Sequence, residues 1–174
     1  MSTENKPPNF NKMTITVIWL VLLGATTLIF NSVLDNINNP NKKLTVTTND
    51  YGEQEVILQR NKYGHYVASG EINGKSVDFL LDTGATLVAI PEHIAAELNL
   101  TKGRSFQSQT ANGMSTSYAT TINTLTLGGI QMNNVPASIS SGMDLDEILL
   151  GMSFLKHLKL SQQGKQLTIS IPNN

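Results

Sequence analysis

An aspartate followed by threonine and glycine, Asp82-Thr83-Gly84, stands at the end of an apolar run, Phe79-Leu80-Leu81. A carboxylate held on a loop can take protons from, and return them to, a reacting group. Gly84 lets the backbone turn tightly beside that carboxylate. Asp, Thr and Gly are also ordinary turn formers, so the triplet alone marks only a turn. Its surroundings carry more. A second apolar strand, residues 87–90, leaves the loop, and sixty-nine residues after Asp82 the apolar Ile148-Leu149-Leu150 ends on Gly151. Between them lies a polar stretch with Asn112-Gly113 near its middle. Other chemistries lack their residues. With no cysteine there is no thiol nucleophile, thiolate zinc site or disulfide. His65, His93 and His157 are scattered without metal-ligand spacing. Gly151-Met152-Ser153 lacks the second glycine of a nucleophile elbow. Asp144-Leu145-Asp146-Glu147 lacks the spacing of a calcium loop and reads as solvated.

The elements that must position Asp82 come from a limited length. The chain has 174 residues, and residues 13–34 form an uncharged stretch of 22 between Lys12 and Asp35. At ~1.5 Å per residue it is long enough for a ~30 Å hydrocarbon layer. Its threonines, Thr16, Thr26 and Thr27, are tolerable there because a hydroxyl can bond back to its own helix. A cleaved signal would be shorter and would end at a small-residue site, which Ala25-Thr26-Thr27 is not. Lys6 and Lys12 before the span balance Lys42 and Lys43 after it, so charge barely sets the orientation. A short tail at residues 1–12, a transmembrane helix at 13–34 and an Asn-rich linker at 35–50 leave one folded domain at 51–174. The linker composition reads as an exposed tether with nothing to pack, and so as a place to be cut.

Within the domain the pattern is all-β. Residues 55–58, 65–68, 76–82, 87–90, 130–139, 158–162 and 166–171 read as strands, with Asn73-Gly74 as a hairpin turn. Pro91 opens a short helix with Ile94, Ala95 and Leu98 on one face, and a second short helix follows Gly151. Residues 104–127 read as a long polar hairpin that projects from the body. The whole reads as a small closed barrel or a closed sandwich with one or two short helices, preceded by the single apolar helix.

On Leu80-Leu81-Asp82-Thr83-Gly84-Ala85-Thr86, Thr110-Ala111-Asn112-Gly113 and residues 148–155, ILLGMSFL, the chain resembles the retropepsin-like aspartic proteases, in particular bacterial membrane-anchored, single-lobe members. The resemblance implies that Asp82 is catalytic and that Thr83, Gly84 and Ala85 support its loop. It makes Thr110, Ala111, Asn112, Gly113 and Met114 a flap over bound peptide. Leu149, Leu150 and Gly151 would support the loop from below. The retroviral pattern often has an acid soon after the Ala and a base after the later Gly. Here Thr86 and Met152 stand instead, so a retroviral-style dimer salt bridge is missing at both ends. Ala85 cannot donate the hydrogen bond a serine could, which favours activity nearer mild acid.

The implied mechanism needs two aspartates sharing one proton. The chain has one D-T-G, so the partner is a second copy of itself. The implied activity is an aspartic endopeptidase that takes a peptide or protein substrate and needs no cofactor or metal. The implied location is a bacterial inner membrane, with the domain in the periplasm. A tethered peptide-binding or assembly module with little turnover is the rival. Nucleic acid is not an expected partner: residues 44–174 hold 8 basic and 11 acidic residues, with no basic face to offer.

Overall fold

The computed structural model describes residues 11–49, 52–110 and 113–172. The chain divides into two units, residues 1–36 and 37–174.

The first unit is most of α1 (Lys12–Asn38), 27 residues that begin where the Asn11 side chain accepts the Thr14 N–H at 2.8 Å. None of its residues is buried. Its apolar side chains, Trp19, Leu23 and Phe30 among them, stand exposed, and the helix is long and apolar enough to cross a membrane. The Thr16 and Thr27 hydroxyls bond back to the carbonyls of Lys12 and Leu23, which removes their cost in an apolar medium.

Among its described residues the second unit holds eleven strands and two short helices. One sheet of four has the order β1 (Thr45–Thr48), β2 (Gln54–Gln59), β11 (Gln166–Ser170), β10 (Lys159–Gln163). Alternation builds it: Leu58 faces Leu167 and Val56 faces Ile169, all four buried. The larger sheet runs β3 (Val67–Ile72), β4 (Lys75–Leu81), β9 (Ile148–Leu150), β5 (Val88–Pro91), β8 (Ile130–Ser140), β7 (Gly113–Leu127), β6 (Ser105–Thr110). A further β3–β7 pairing closes six of these strands into a barrel and leaves β6 outside the ring. At the β3–β4 turn Asn73 and Gly74 both have positive φ, 51° and 76°, as a tight hairpin requires. Helices α2 (Glu92–Glu97) and α3 (Met152–Leu155) follow β5 and β9. The core holds Phe79, Ile90, Ile122, Ile139, Leu150 and Phe154, all fully buried.

Two expectations are corrected. The stretch 104–127 is not one projecting hairpin. Only the first part of β7, residues 113–118, pairs with β6, while the strand runs on into the barrel beside β8 and β3 and buries Ile122, Leu125 and Leu127. Nor is the segment after α1 an unpacked tether. Asn39 and Asn41 are 3% and 4% exposed. The Asn39 amide donates to Ser69 Oγ at 3.0 Å and to Asp78 Oδ1 at 2.9 Å. Asn41 Nδ2 donates to the carbonyls of Gln59 and Val67, and its Oδ1 accepts the Gln59 N–H at 2.7 Å. Its own carbonyl accepts the Ser69 N–H. Asn41 thus stitches the end of β2 to the start of β3, which a cut in residues 39–41 would undo. Residues 45–48 are also strand, inside the stretch expected as linker.

Asn41→Ala strands these backbone groups in a dry joint. The expected cost is about 2–4 kcal/mol, read as a fall in Tm on the order of 10 °C in the full-length protein. Asn41→Asp keeps the shape but turns an oxygen toward two carbonyls, so it should be no milder than Ala. A Tm within a degree or two of the native protein for both variants would refute the stitch.

Candidate active site

Strand β4 carries Phe79, Leu80 and Leu81 straight to Asp82. Strand β9 lies parallel beside it, with Ile148, Leu149 and Leu150 opposite Phe79, Leu80 and Leu81. The other edge of β9 meets β5 at Ala89. The strand that ends on Gly151 therefore runs between the strand entering the D-T-G loop and the strand leaving it. The two sequence motifs, far apart in the chain, form one structure.

The loop is tied down by backbone bonds. The Asp82 N–H donates to the Leu150 carbonyl, and the Ala85 N–H donates to the Asp82 carbonyl, both at 3.2 Å. The Gly84 N–H donates to Asp82 Oδ1 at 2.8 Å, which fixes the carboxylate against the turn. Beyond Gly151, the Met152 N–H donates to the Ala85 carbonyl and the Ser153 N–H to the Thr86 carbonyl. Asp82 is half-buried, while Thr83 and Gly84 are exposed.

Asp82 opens onto a cleft of about 750 Å³. Gly84, Ala85, Thr86, Leu87 and Leu149 line the same cleft. Phe106, Ser108 and Gln109 come from β6, Ser117 from β7, and Ser138 and Ser140 from β8. The expected flap corresponds to the β6–β7 hairpin, where Thr110 pairs with Gly113 and Gln109 with Met114. Met114 is exposed at 68%. Ala111 and Asn112 lie outside the described residues. The cleft can hold an extended chain over a carboxylate, and its walls offer hydroxyls and short apolar side chains.

Some residues carry more of the site than the sequence disclosed. Ser153 is buried, and its Oγ accepts the Val88 N–H at 2.9 Å, so it pins the strand leaving the loop. Its position as the second residue of α3 was the only available sign. The stretch expected as a solvated loop is exposed at residues 144–146, and with the preceding Met143 it puts Asp144 and Leu145 on the cleft wall. Tyr66 and Tyr118 do not line the cleft. Tyr66 packs on the core, and Tyr118 lies under Lys102 Nζ at 4.7 Å. Lys102 also pairs with Glu92 at the start of α2. That hydrogen bond, helped by the Ser141 hydroxyl, holds the Glu92 carboxyl below its ordinary value. Glu92 raises Lys102 in return. Among the described residues no cluster of His, Cys, Asp or Glu could hold a metal.

The same arrangement is found in known proteins. The family model for "gag-polyprotein putative aspartyl protease" matches residues 68–157, from β3 through α3. The crystal structure of a retropepsin-like aspartic protease from Rickettsia conorii aligns with TM-score 0.56 and 31% identity, over 66% of this chain and 97% of that one. The chain belongs to the retropepsin-like aspartic protease family. Two curated bacterial relatives are themselves uncharacterised. A Sinorhizobium protein from the cobV 5′ region is 32% identical over 123 residues, which is 69% of this chain and 53% of the relative. One from Rickettsia prowazekii is 29% identical over 118 residues, 66% of this chain and 50% of the relative. The chain spans about half the length of these curated relatives. In this retropepsin-like protein the family match excludes β1, β2, β10 and β11, and so covers the closed barrel and the D-T-G loop.

Proposed function

We propose that the protein is a membrane-anchored aspartic endopeptidase that works as a homodimer, with Asp82 as the catalytic residue of each subunit. The observation that carries this is Asp82 itself: one carboxylate, half-buried at the floor of a peptide-sized cleft and held by the Gly84 N–H. A second copy on a two-fold axis supplies the other. Two such carboxylates within about 3 Å cannot both ionise, so they share a proton and titrate as a unit. The ionised one takes a proton from a bound water as that water attacks the scissile carbonyl. The protonated one donates to the carbonyl oxygen, and the leaving nitrogen is protonated as the C–N bond breaks. The substrate lies extended between the β6–β7 hairpin and the D-T-G floor, adding its backbone to the sheet.

Helix α1 holds the enzyme in a bilayer, by this reading the bacterial inner membrane with the domain in the periplasm. Confinement to a plane raises the encounter rate of two half-sites. The test uses the full-length protein, because Asn39 and Asn41 belong to the body of the domain. In lipid vesicles it should cut internal bonds of a mixed peptide library, and a peptide with a hydroxyl-bearing mimic of the tetrahedral intermediate should block it. Activity per subunit should fall as the protein is diluted in lipid. No hydrolysis by folded protein would overturn the endopeptidase. Activity per subunit that ignores dilution down to isolated chains would overturn the dimer.

A further inference from the structure

The loop between β8 and β9 puts a second carboxylate in the cleft. Asp144 lines it alongside Asp82, and no Lys, Arg or His is among the lining residues. The two differ in their ties. Asp82 is half-buried and accepts the Gly84 N–H, whereas Asp144 is exposed and its side chain makes no hydrogen bond or ion pair among the described residues. Asp78 is bonded by Asn39 and Ser69 and Glu92 by Lys102, and of the domain's remaining described acids only Asp144 stands with Asp82 on the cleft. Around Asp144 the wall has two characters. Met143, Leu145 and Leu149 offer apolar surface. Ser108, Ser138 and Ser140 offer hydroxyl oxygens.

We infer that Asp144 selects substrates with a lysine or arginine side chain. Such a side chain is an apolar stem with a charged tip. Its stem lies along Leu145 and Leu149, and its tip reaches the Asp144 carboxylate with serine oxygens as further acceptors. A neutral side chain of equal length fills the same space but leaves the carboxylate unpaired. An acidic one meets two carboxylates and no cation. The inference rests on the endopeptidase reading. In a two-fold dimer it gains a further consequence, since each subunit brings its own Asp144. The basic preference then falls at two substrate positions related by the axis, one on each side of the scissile bond.

The experiment has a cleavage arm and a binding arm, both with full-length protein in detergent micelles. In the first, paired peptides differ only by Lys or norleucine at each position around the cut. The native protein should favour Lys roughly five- to tenfold in kcat/KM, the size of a partly exposed charge-assisted contact. The ratio should shrink with added salt. Asp144→Asn should bring it to about one, and Asp144→Lys should shift preference toward Glu. In the second arm the same peptides are titrated into the Asp82→Asn protein with and without Asp144→Asn. The Lys peptide should bind about five- to tenfold tighter only when Asp144 is present. A ratio near one in the native protein overturns the inference, as does a Lys preference that survives Asp144→Asn. If nothing is cut yet binding keeps the Asp144-dependent ratio, the endopeptidase reading fails and the basic-ligand site stands. If binding shows no such ratio, the site falls as well.

Discussion

Asp82→Asn should lower kcat on any cleavable peptide by at least about 10³-fold, with KM changed far less. The asymmetry follows from what the residue touches. Asn keeps the shape of Asp, and its carbonyl oxygen can still accept the Gly84 N–H that now reaches Oδ1 at 2.8 Å. The other bonds of the loop are backbone bonds: the Asp82 N–H to Leu150, the Ala85 N–H to Asp82. None depends on the carboxylate charge, so fold and cleft persist. What disappears is the group that can hold a negative charge at one moment and a proton at the next. If each active site draws one Asp82 from each subunit, as proposed, the variant should also poison the native chain. At equal amounts and random pairing, only about one quarter of dimers keep both carboxylates, so activity falls to about that fraction. Loss in proportion to the native chains, to about one half, would mean each subunit works alone. Activity of the pure variant within tenfold of native would remove Asp82 from catalysis.

The parts of this site differ in how far they could be read from the chain. Strand β4 was legible because Val77, Phe79 and Leu81 alternate and end on Asp82. The Asn73-Gly74 turn was legible because few residues accept positive φ at both positions. The placement of β9 between β4 and β5 has no local signal. A parallel pairing across some seventy residues leaves no turn to mark it, and the family resemblance implied only that Leu149, Leu150 and Gly151 support the loop. Strand β7 was misread for a different reason. Its buried positions are Ser117, Ile122, Leu125 and Leu127, so the period of two slips twice along the strand and blurs the pattern. Asn39 and Asn41 were misread because composition prices an asparagine as solvent-loving. A buried amide whose donors and acceptor are all met costs little, and only the fold reveals that strand ends wait there to meet it. Asp144 is exposed, as an acidic run leads one to expect, and only the fold shows that this solvated loop borders the cleft.

Gly151→Ala is the second large effect expected, and it should act on stability. Gly151 has φ −90° and ψ −174°, an extended backbone open to any residue, so the objection is purely one of space. A Cβ there would stand 2.2 Å from the Leu87 carbonyl oxygen and 2.7 Å from that of Ala85. Both obstacles are backbone, so no side chain can swing aside. Relief requires the strand leaving the D-T-G loop to move away from β9. That motion pulls on the bonds from Met152 to Ala85, from Ser153 to Thr86 and from Val88 to Ser153 Oγ. A cost of about 3–5 kcal/mol is expected, a large share of the 5–15 kcal/mol that holds a domain together. Gly84→Ala makes the contrast within the same loop. Its Cβ would meet only Asp82 Oδ1, at 3.1 Å. Crowding there displaces the carboxylate and spares the strands, so kcat should drop while Tm holds. Thermal unfolding of the two full-length variants beside their turnover separates the roles. Equal Tm loss in both would mean that Gly151 is no tighter a joint than Gly84. A native Tm for Gly151→Ala would mean that β9 does not lock the loop at all.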